Sequence, residues 1–274
     1  MIERPSLTQK EFKLFKEYIY EHIGISLGEQ KIYLVQARLA KRLKTLQLES
    51  FSDYYALLVD DKSGQELEFL ASLISTNVTS FFREAKQWDF WKANMNSLVD
   101  PVKKRLRIWS AACSTGEEPY SIMMFLDEHL PERASYDIKL LATDVSPKVL
   151  QASIKGIYAP KAIAGLSNYH QKHYFDRVSA SEELQIKPSL KRDITFRAFN
   201  LVTGDYSMFR HKVFDIIFCR NVMIYFDKAT QETLIQHFHD LLAPKGYLFI
   251  GSSEALTDAK KGFISKGASI YQKV

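Results

Sequence analysis

The sequence predicts an α/β fold: a parallel, doubly wound sheet preceded by an all-helical segment. Three observations point there. From about Arg105, short apolar runs alternate with helical stretches, the pattern of a sheet with crossover helices. Before residue 75, apolar residues recur at helical spacing. At the far end, Gly262–Lys266 and Ser269–Lys273 read as two short strands split by Gly267. They predict an antiparallel hairpin closing one edge of the parallel sheet.

Thr8 and Glu11 fit a capping box that opens a first helix running to about His22. Gly24 and Gly28 bracket a turn. A second helix is predicted from Gln30 to Leu46, with Ile32, Val35, Leu39, Leu43 and Leu46 on one face. Ser50 and Asp53 cap a third, predicted over 53–59, and a fourth covers about 65–74. The strands are expected at Leu106–Ala111, Ile138–Ala142, Val213–Phe218 and Tyr247–Gly251, and the helices at Glu117–Leu130, Pro147–Ile154 and Ala229–Leu242. Residues 156–200 exceed a plain crossover. Their short runs Leu184–Lys187 and Ile194–Arg197 are expected to form a small inserted antiparallel subdomain. This divides the chain into a helical domain (1–75), a linker (76–104) and an α/β domain (105–274) with its insertion at about 156–200.

The chain has 274 residues, 46% of them hydrophobic, enough for a sizeable core. No apolar run approaches the roughly 18 residues of a membrane span, and MIERPSLTQKEFKLF lacks a signal peptide's apolar segment. Cys113 and Cys219 make neither a disulfide framework nor a metal spacing, and the seven histidines show no metal pattern. A reduced, cytoplasmic protein without a metal is expected. The net charge of +5 permits an acidic partner without demanding one.

Ligands of open parallel sheets bind beyond the C-terminal strand ends. There lies RIWSAACSTGEEPYSI, residues 107–122. Its small residues allow close backbone approach, and Thr115 and Glu118 have capping-box spacing. It is not G-x-G-x-x-G. Glu117 and Glu118 would repel a pyrophosphate at this helix N-terminus and suit a ligand carrying positive charge. Acids in a first turn also stabilise any helix, by about 0.3–1 kcal/mol. Asp144 ends the second strand, where a carboxylate accepts from both ribose hydroxyls; it can also simply cap the helix opened by Ser146 and Pro147. Asn200 is placed to bond an adenine, and Arg220 and Asn221 follow the third strand at the same edge. A nucleoside with positive charge and no phosphate describes S-adenosylmethionine. A nicotinamide dinucleotide fits less well.

These residues resemble the CheR family of chemoreceptor glutamate methyltransferases. The resemblance spans GISL…K at 24–31, RLAKRL at 38–43, TNVTSFFRE at 76–84, WSAACSTGEEPYS at 109–121, Asp144, FNL at 199–201 and CRNVMIYFD at 219–227. It implies a class I S-adenosylmethionine-dependent methyltransferase domain, Rossmann-like, with a small inserted β-subdomain and an N-terminal all-α domain. It implies a cofactor site of Asn77, Thr79, Arg83, one of Glu117 and Glu118, Asp144, Asn200, Leu201, Arg220 and Asn221. Phe81 and Phe82 are read as packing residues. The reaction implied converts S-adenosylmethionine to S-adenosylhomocysteine and a receptor glutamate to its γ-methyl ester. A carboxylate with a pKa of about 4.3 needs no general base at neutral pH, so orientation is the main task. Tyr225, four residues past Asn221, is the candidate for orienting the substrate carboxylate; packing beside Phe226 is the competing role.

Lys31, Arg38, Lys41, Arg42 and Lys44 stand on the second helix with no acid between 31 and 48. Solvated faces usually mix signs. The resemblance implies docking onto acidic helices in the cytoplasmic part of methyl-accepting chemoreceptors, by a monomer that meets the membrane only through its receptor. The stretch 175–196 contains no glycine, unlike family members whose β-subdomain grips a receptor peptide, which favours a tether-independent enzyme. Two other readings stay open: a nucleic-acid methyltransferase using the basic helix, and a catalytically silent binding module on the same fold. The first lacks an aromatic platform for bases; nothing at the cofactor edge looks eroded, against the second.

Overall fold

Apolar spacing in the first 75 residues resolves into four packed helices in a computed structural model, which describes residues 5–75, 77–100, 102–179, 181–209, 213–256 and 262–274. Residues 1–4, within the stretch read for a signal peptide, and Thr76, which opens the TNVTSFFRE motif, lie outside the described residues. Helix α1 is Gln9–Ile23, and both halves of its Thr8–Glu11 capping box form. Gly24 ends it at φ +78, a conformation glycine adopts without Cβ strain. A 3-10 turn, Glu29–Lys31, leads into α2, Ile32–Leu46. Helix α3 is Phe51–Asp60, two residues earlier than expected, because Ser50 is the N-cap and accepts from the Asp53 N–H. Helix α4 is Gln65–Ile74. Phe12, Phe15, Ile19, Val35, Leu39, Tyr54 and Leu70 close their common core.

Two of the four basic residues on α2 face inward, and Lys31 falls in the 3-10 turn before it. Arg42 makes two bonds to Glu66, Nε to Oε1 at 2.8 Å and Nη2 to Oε2 at 2.5 Å, while the Tyr54 hydroxyl donates to Glu66 at 2.7 Å. Arg42 also lies over the Phe69 ring. Burial would raise the Glu66 carboxyl, but the bonds from Arg42 and Tyr54 outweigh it and hold it below the ordinary value. The pair therefore stabilises above that ordinary value and loses its effect as pH falls through the depressed one. Arg42→Ala is expected to cost about 3–5 kcal/mol, because it strands a buried carboxylate; urea unfolding checks this, and a loss under 1 kcal/mol would contradict it.

Helix α5, Ala85–Ala93, and the short α6, Met95–Leu98, fill the stretch read as linker. Trp88 and Trp91 of α5 pack on Phe125 and Phe218. The α/β elements follow: β1 (Arg105–Ser110), α7 (Glu117–His129), β2 (Asp137–Asp144) and α8 (Pro147–Lys155). The insertion comprises β3 (Ile157–Tyr158), α9 (Pro160–Ile163), α10 (Asn168–Tyr174), β4 (Phe175–Arg177), β5 (Leu184–Ile186) and α11 (Pro188–Lys191). Then come β6 (Ile194–Ala198), β7 (Phe214–Cys219), α12 (Lys228–Leu241), β8 (Leu242–Ile250), β9 (Phe263–Gly267) and β10 (Ile270–Lys273).

Seven strands form the main sheet in the order β6-β2-β1-β7-β8-β10-β9. The five at the β6 end run parallel, while β10 is antiparallel to both β8 and β9. The edge hairpin is thus as expected, except that its turn falls on Ala268 and Ser269, both at positive φ, one residue past Gly267. The insertion is a separate antiparallel sheet, β3-β5-β4. Here the structure corrects the expectation: Ile194–Ala198 belongs to the main sheet, paired parallel with Leu140–Asp144, and not to the insertion. The insertion leaves and returns at one clamp. The Lys191 ammonium donates to the carbonyls of Ile154 and Lys155, and the Ile186 N–H to that of Gly156.

Alternation along each strand sends side chains to opposite faces. Ile216 and Phe218 join Ile122, Phe125 and Trp91 on one side; Ile217 and Cys219 join Trp109, Phe209 and Phe238 on the other. Phe81 and Phe82 pack against Tyr158, Phe175, Trp88 and His170. Both cysteines are free and buried. Among the described residues no helix is long and apolar enough to cross a membrane.

Candidate functional site

The C-terminal ends of β1, β2, β6 and β7 open into one cleft of about 910 Å³, counted out to its mouth. Its far wall comes from the helical bundle, through Ile23, Ile25, Ser75 and Asn77. The register that places β6 beside β2 brings Phe199–Leu201 to Asp144, and the Phe199 N–H donates to the Asp144 carbonyl.

After β1 the chain turns through Ser114 at φ +47 and Gly116 at φ +99. A Cβ on Gly116 would sit 2.8 Å from the Ser153 Cβ and 3.0 Å from the Tyr158 hydroxyl, so only glycine fits. Gly116 is the N-cap of α7, with no side-chain cap. The expected Thr115–Glu118 capping box therefore does not form. Thr115 donates to Glu117 at 2.6 Å, and Glu118 is held elsewhere. Asp144 accepts from the Ser114 N–H at 2.9 Å and the Ser146 N–H at 3.0 Å. Asp144 lines the cleft, and its bond to the Ser146 N–H is a turn contact ahead of α8, which has no side-chain cap, so the expected capping role does not form. Burial raises its carboxyl above the ordinary value, against the pull of those N–H groups.

Of the two adjacent acids, Glu118 lines the cleft and Glu117 does not. Ser110 donates to Glu118 at 2.6 Å, and Arg220 Nη1 donates to it at 3.2 Å. Arg220, its side chain 3% exposed, also lies 3.6 Å from Glu84 and donates to the Arg83 carbonyl. Burial raises Glu118 too, offset in part by Arg220 and Ser110. Two carboxylates, Glu118 and Asp144, and two guanidinium groups, Arg83 and Arg220, line the cleft, with Glu84 behind Arg220.

Asn77, Thr79, Arg83, Asn200, Leu201, Asn221 and Tyr225 also line it. Asn77 receives the Ser114 hydroxyl on its carbonyl at 3.3 Å, and Arg83 donates to the Val78 carbonyl. Asn200 is largely spent on structure. Its amide donates to the His22 carbonyl, and its Oδ1 accepts from the Val202 and Thr203 N–H groups. Asn200 thus lines the cleft while its side chain bridges the loop after β6 to the carbonyl at the end of α1. The Leu201 carbonyl accepts from Tyr206. Tyr225 is half-buried, and its carbonyl accepts from the Ser26 N–H.

Two carboxylates escaped the sequence reading. Glu84, in a left-handed conformation, accepts from the Ser252 N–H at 3.0 Å and Asn221 Nδ2 at 3.4 Å. Glu254 accepts from the N–H groups of Gly251, Asn221 and Ile224 at 2.6, 3.0 and 3.2 Å. Glu254 had only its position shortly after a predicted strand as a signal, and Glu84 had none, because the helix it precedes was read as linker.

Of the docking candidates, Lys31, Lys41 and Lys44 are exposed. Arg42 and Arg38 are not part of that face. Arg42 is paired with Glu66, and Arg38 donates to carbonyls at the end of α4. Among the described residues no group of three or more potential metal ligands occurs.

A sheet in this order, a helical domain completing its cleft, and acids where a dinucleotide fold has a phosphate loop define a class I S-adenosylmethionine-dependent methyltransferase fold with an all-α companion. The comparisons make the class specific. Residues 10–75 match the family described as CheR methyltransferase, all-alpha domain, and residues 77–271 match CheR methyltransferase, SAM binding domain. The chain belongs to the CheR methyltransferase family. It is 36% identical to the chemotaxis protein methyltransferase of Escherichia coli (strain K12), over 99% of this chain and 93% of that one. It is also 36% identical to that of Borreliella burgdorferi, covering 93% and 91%, and to chemotaxis protein methyltransferase 2 of Pseudomonas aeruginosa, covering 96% and 93%.

Proposed function

We propose that this protein methylates glutamate side chains on the cytoplasmic helices of methyl-accepting chemoreceptors, using S-adenosylmethionine and forming γ-glutamyl methyl esters. The observation that supports it best is the convergence of Glu118 and Asp144 in one cleft at the C-terminal edge of the sheet. When bound, S-adenosylmethionine supplies a methyl group activated by its sulfonium. Asp144 keeps lone pairs to accept from ribose hydroxyls, and the Ser114–Gly116 turn keeps side chains out of the way. Glu118 lies where positive charge is favoured, with Arg220 fixing its direction. Asn77, Thr79 and Arg83 close the wall from the bundle side, and Leu201 offers a flat apolar contact beside Asn221.

The receptor glutamate arrives ionised and needs no base. What this chain contributes is aim and exclusion of water. Tyr225, which lines the cleft beside the helical bundle, is assigned to hydrogen-bond that carboxylate. Lys31, Lys41 and Lys44 present positive charge toward acidic receptor helices, an attraction that weakens with salt.

Isothermal titration with S-adenosylmethionine and S-adenosylhomocysteine, followed by radiolabelled methyl transfer to receptor-containing membranes, tests the reading. Micromolar binding and base-labile label on receptor are expected; absence of binding to either ligand would refute it. Tyr225→Phe is expected to lower turnover about tenfold or more, since hydrogen bonds to charged groups contribute roughly 1.5–3 kcal/mol. Cofactor affinity should stay put. Unchanged turnover would remove Tyr225 from the mechanism.

A further inference from the structure

Arg38 sits on the basic helix α2, yet its guanidinium points to the end of α4. Nη1 donates to the carbonyls of Leu73 at 2.8 Å, Ile74, and Ser75 at 3.4 Å. These belong to the last turn of α4, whose carbonyls have no partner within the helix. A cation there also meets the negative end of the helix dipole. Ser75, just past that end, and Asn77 both line the cleft. Ser75 Oγ donates to the Ala71 carbonyl at 2.8 Å and lies 3.3 Å from Asn77 Oδ1. The Asn77 carbonyl in turn accepts from Ser114, whose N–H holds Asp144. Arg38 thus holds the end of α4 beside Ser75, and Asn77, two residues on, is tied through Ser114 to Asp144, all three of Ser75, Asn77 and Asp144 lining the cleft.

We propose that Arg38 is a positioning residue for the cofactor site, fixing the bundle's wall through the end of α4, and is not a receptor-docking cation. The assignment rests on the cofactor reading of the cleft. It separates two jobs on one helix: the lysines face outward to the partner, and Arg38 faces inward to the cleft.

The test is titration of S-adenosylhomocysteine into wild type, Arg38→Ala, Arg38→Lys and Arg42→Ala, with thermal unfolding of each. Arg38→Ala should raise Kd about five- to tenfold. Arg38→Lys should stay within about twofold, since an ammonium brings donors to the same carbonyls. Arg42→Ala should unfold at lower temperature yet keep wild-type Kd, because Glu66 lies away from the cleft. An unchanged Kd in Arg38→Ala, beside clear binding by wild type, overturns the proposal. So does an equal rise in Arg42→Ala, which would mark general loosening of the bundle. If Arg38→Ala does not fold, Arg38→Gln takes its place, and a Kd equal to wild type is again fatal. No binding by wild type would instead strike the cofactor reading itself.

Discussion

Arg220→Met should be the most damaging single change in the cleft, abolishing measurable cofactor binding and costing about 3–5 kcal/mol of stability. Arg220 is nearly sealed from solvent between Glu84 and Glu118, whose side chains are each 11% exposed. Removing the guanidinium leaves two buried carboxylates facing each other without a cation. One must take up a proton or draw in water, and either outcome moves Glu118, while the Arg83 carbonyl keeps only its bond from the Trp88 indole. Urea unfolding measures the stability loss, and titration measures binding. Adding Glu118→Gln should restore part of the stability but none of the binding, because residues in one network couple. A single mutant within 1 kcal/mol of wild type would show that the network is dispensable.

Asp144→Asn is expected to weaken S-adenosylmethionine binding roughly 100-fold or more, since each charge-assisted bond to a ribose hydroxyl contributes about 1.5–3 kcal/mol. The wild-type pH dependence is equally diagnostic. Burial raises the carboxyls of Asp144 and Glu118 above their ordinary values. In the free protein, the stability tied to their protonated forms is present at low pH. It is lost as pH rises from those ordinary values through the raised ones. A ligand with a cation and donor hydroxyls favours the ionised forms, so it lowers both pKa values and releases protons. Kd should therefore weaken on acidification through that window. Titrations in two buffers of different ionisation heat should report proton release; proton uptake would contradict the assignment.

The fold was legible where local chemistry determines it. The Thr8–Glu11 box, the Ser50 cap and the α2 stripe need only nearest neighbours along the chain, and they form. Partner choice is not local. Ile194–Ala198 alternates like any strand, and nothing in five residues says whether it joins the small sheet or lies beside β2. Helix α5 escaped notice because its aromatic residues give it weak local propensity; Trp88 and Trp91 are held there by the core. The Thr115–Glu118 spacing matched a cap, but the backbone turned left-handed at Gly116 and sent both side chains elsewhere. Charge runs misled for a related reason. Arg38 and Arg42 look like Lys41 and Lys44 in sequence, yet only the arginines meet α4. At the cleft, the motifs located Asp144, Glu118 and Arg220, whereas Glu84 and Glu254 are brought in by tertiary folding alone.

The crossover between β2 and β6 carries a further consequence. Its excursion starts and finishes at the clamp of Gly156 and Lys191, and between those ends Tyr174 on Asp127, His170 beside Glu128 and Phe175 against Phe81 pin the small sheet to α7 and the linker, so added length falls on its loops. Lengthening a flexible loop beyond such an anchor costs only logarithmically, about 0.6 kcal/mol per doubling. A glycine-bearing hairpin could be grafted there without shifting the register of any of the seven strands. The insertion can therefore change in length while the seven-stranded sheet that carries the cleft keeps its geometry.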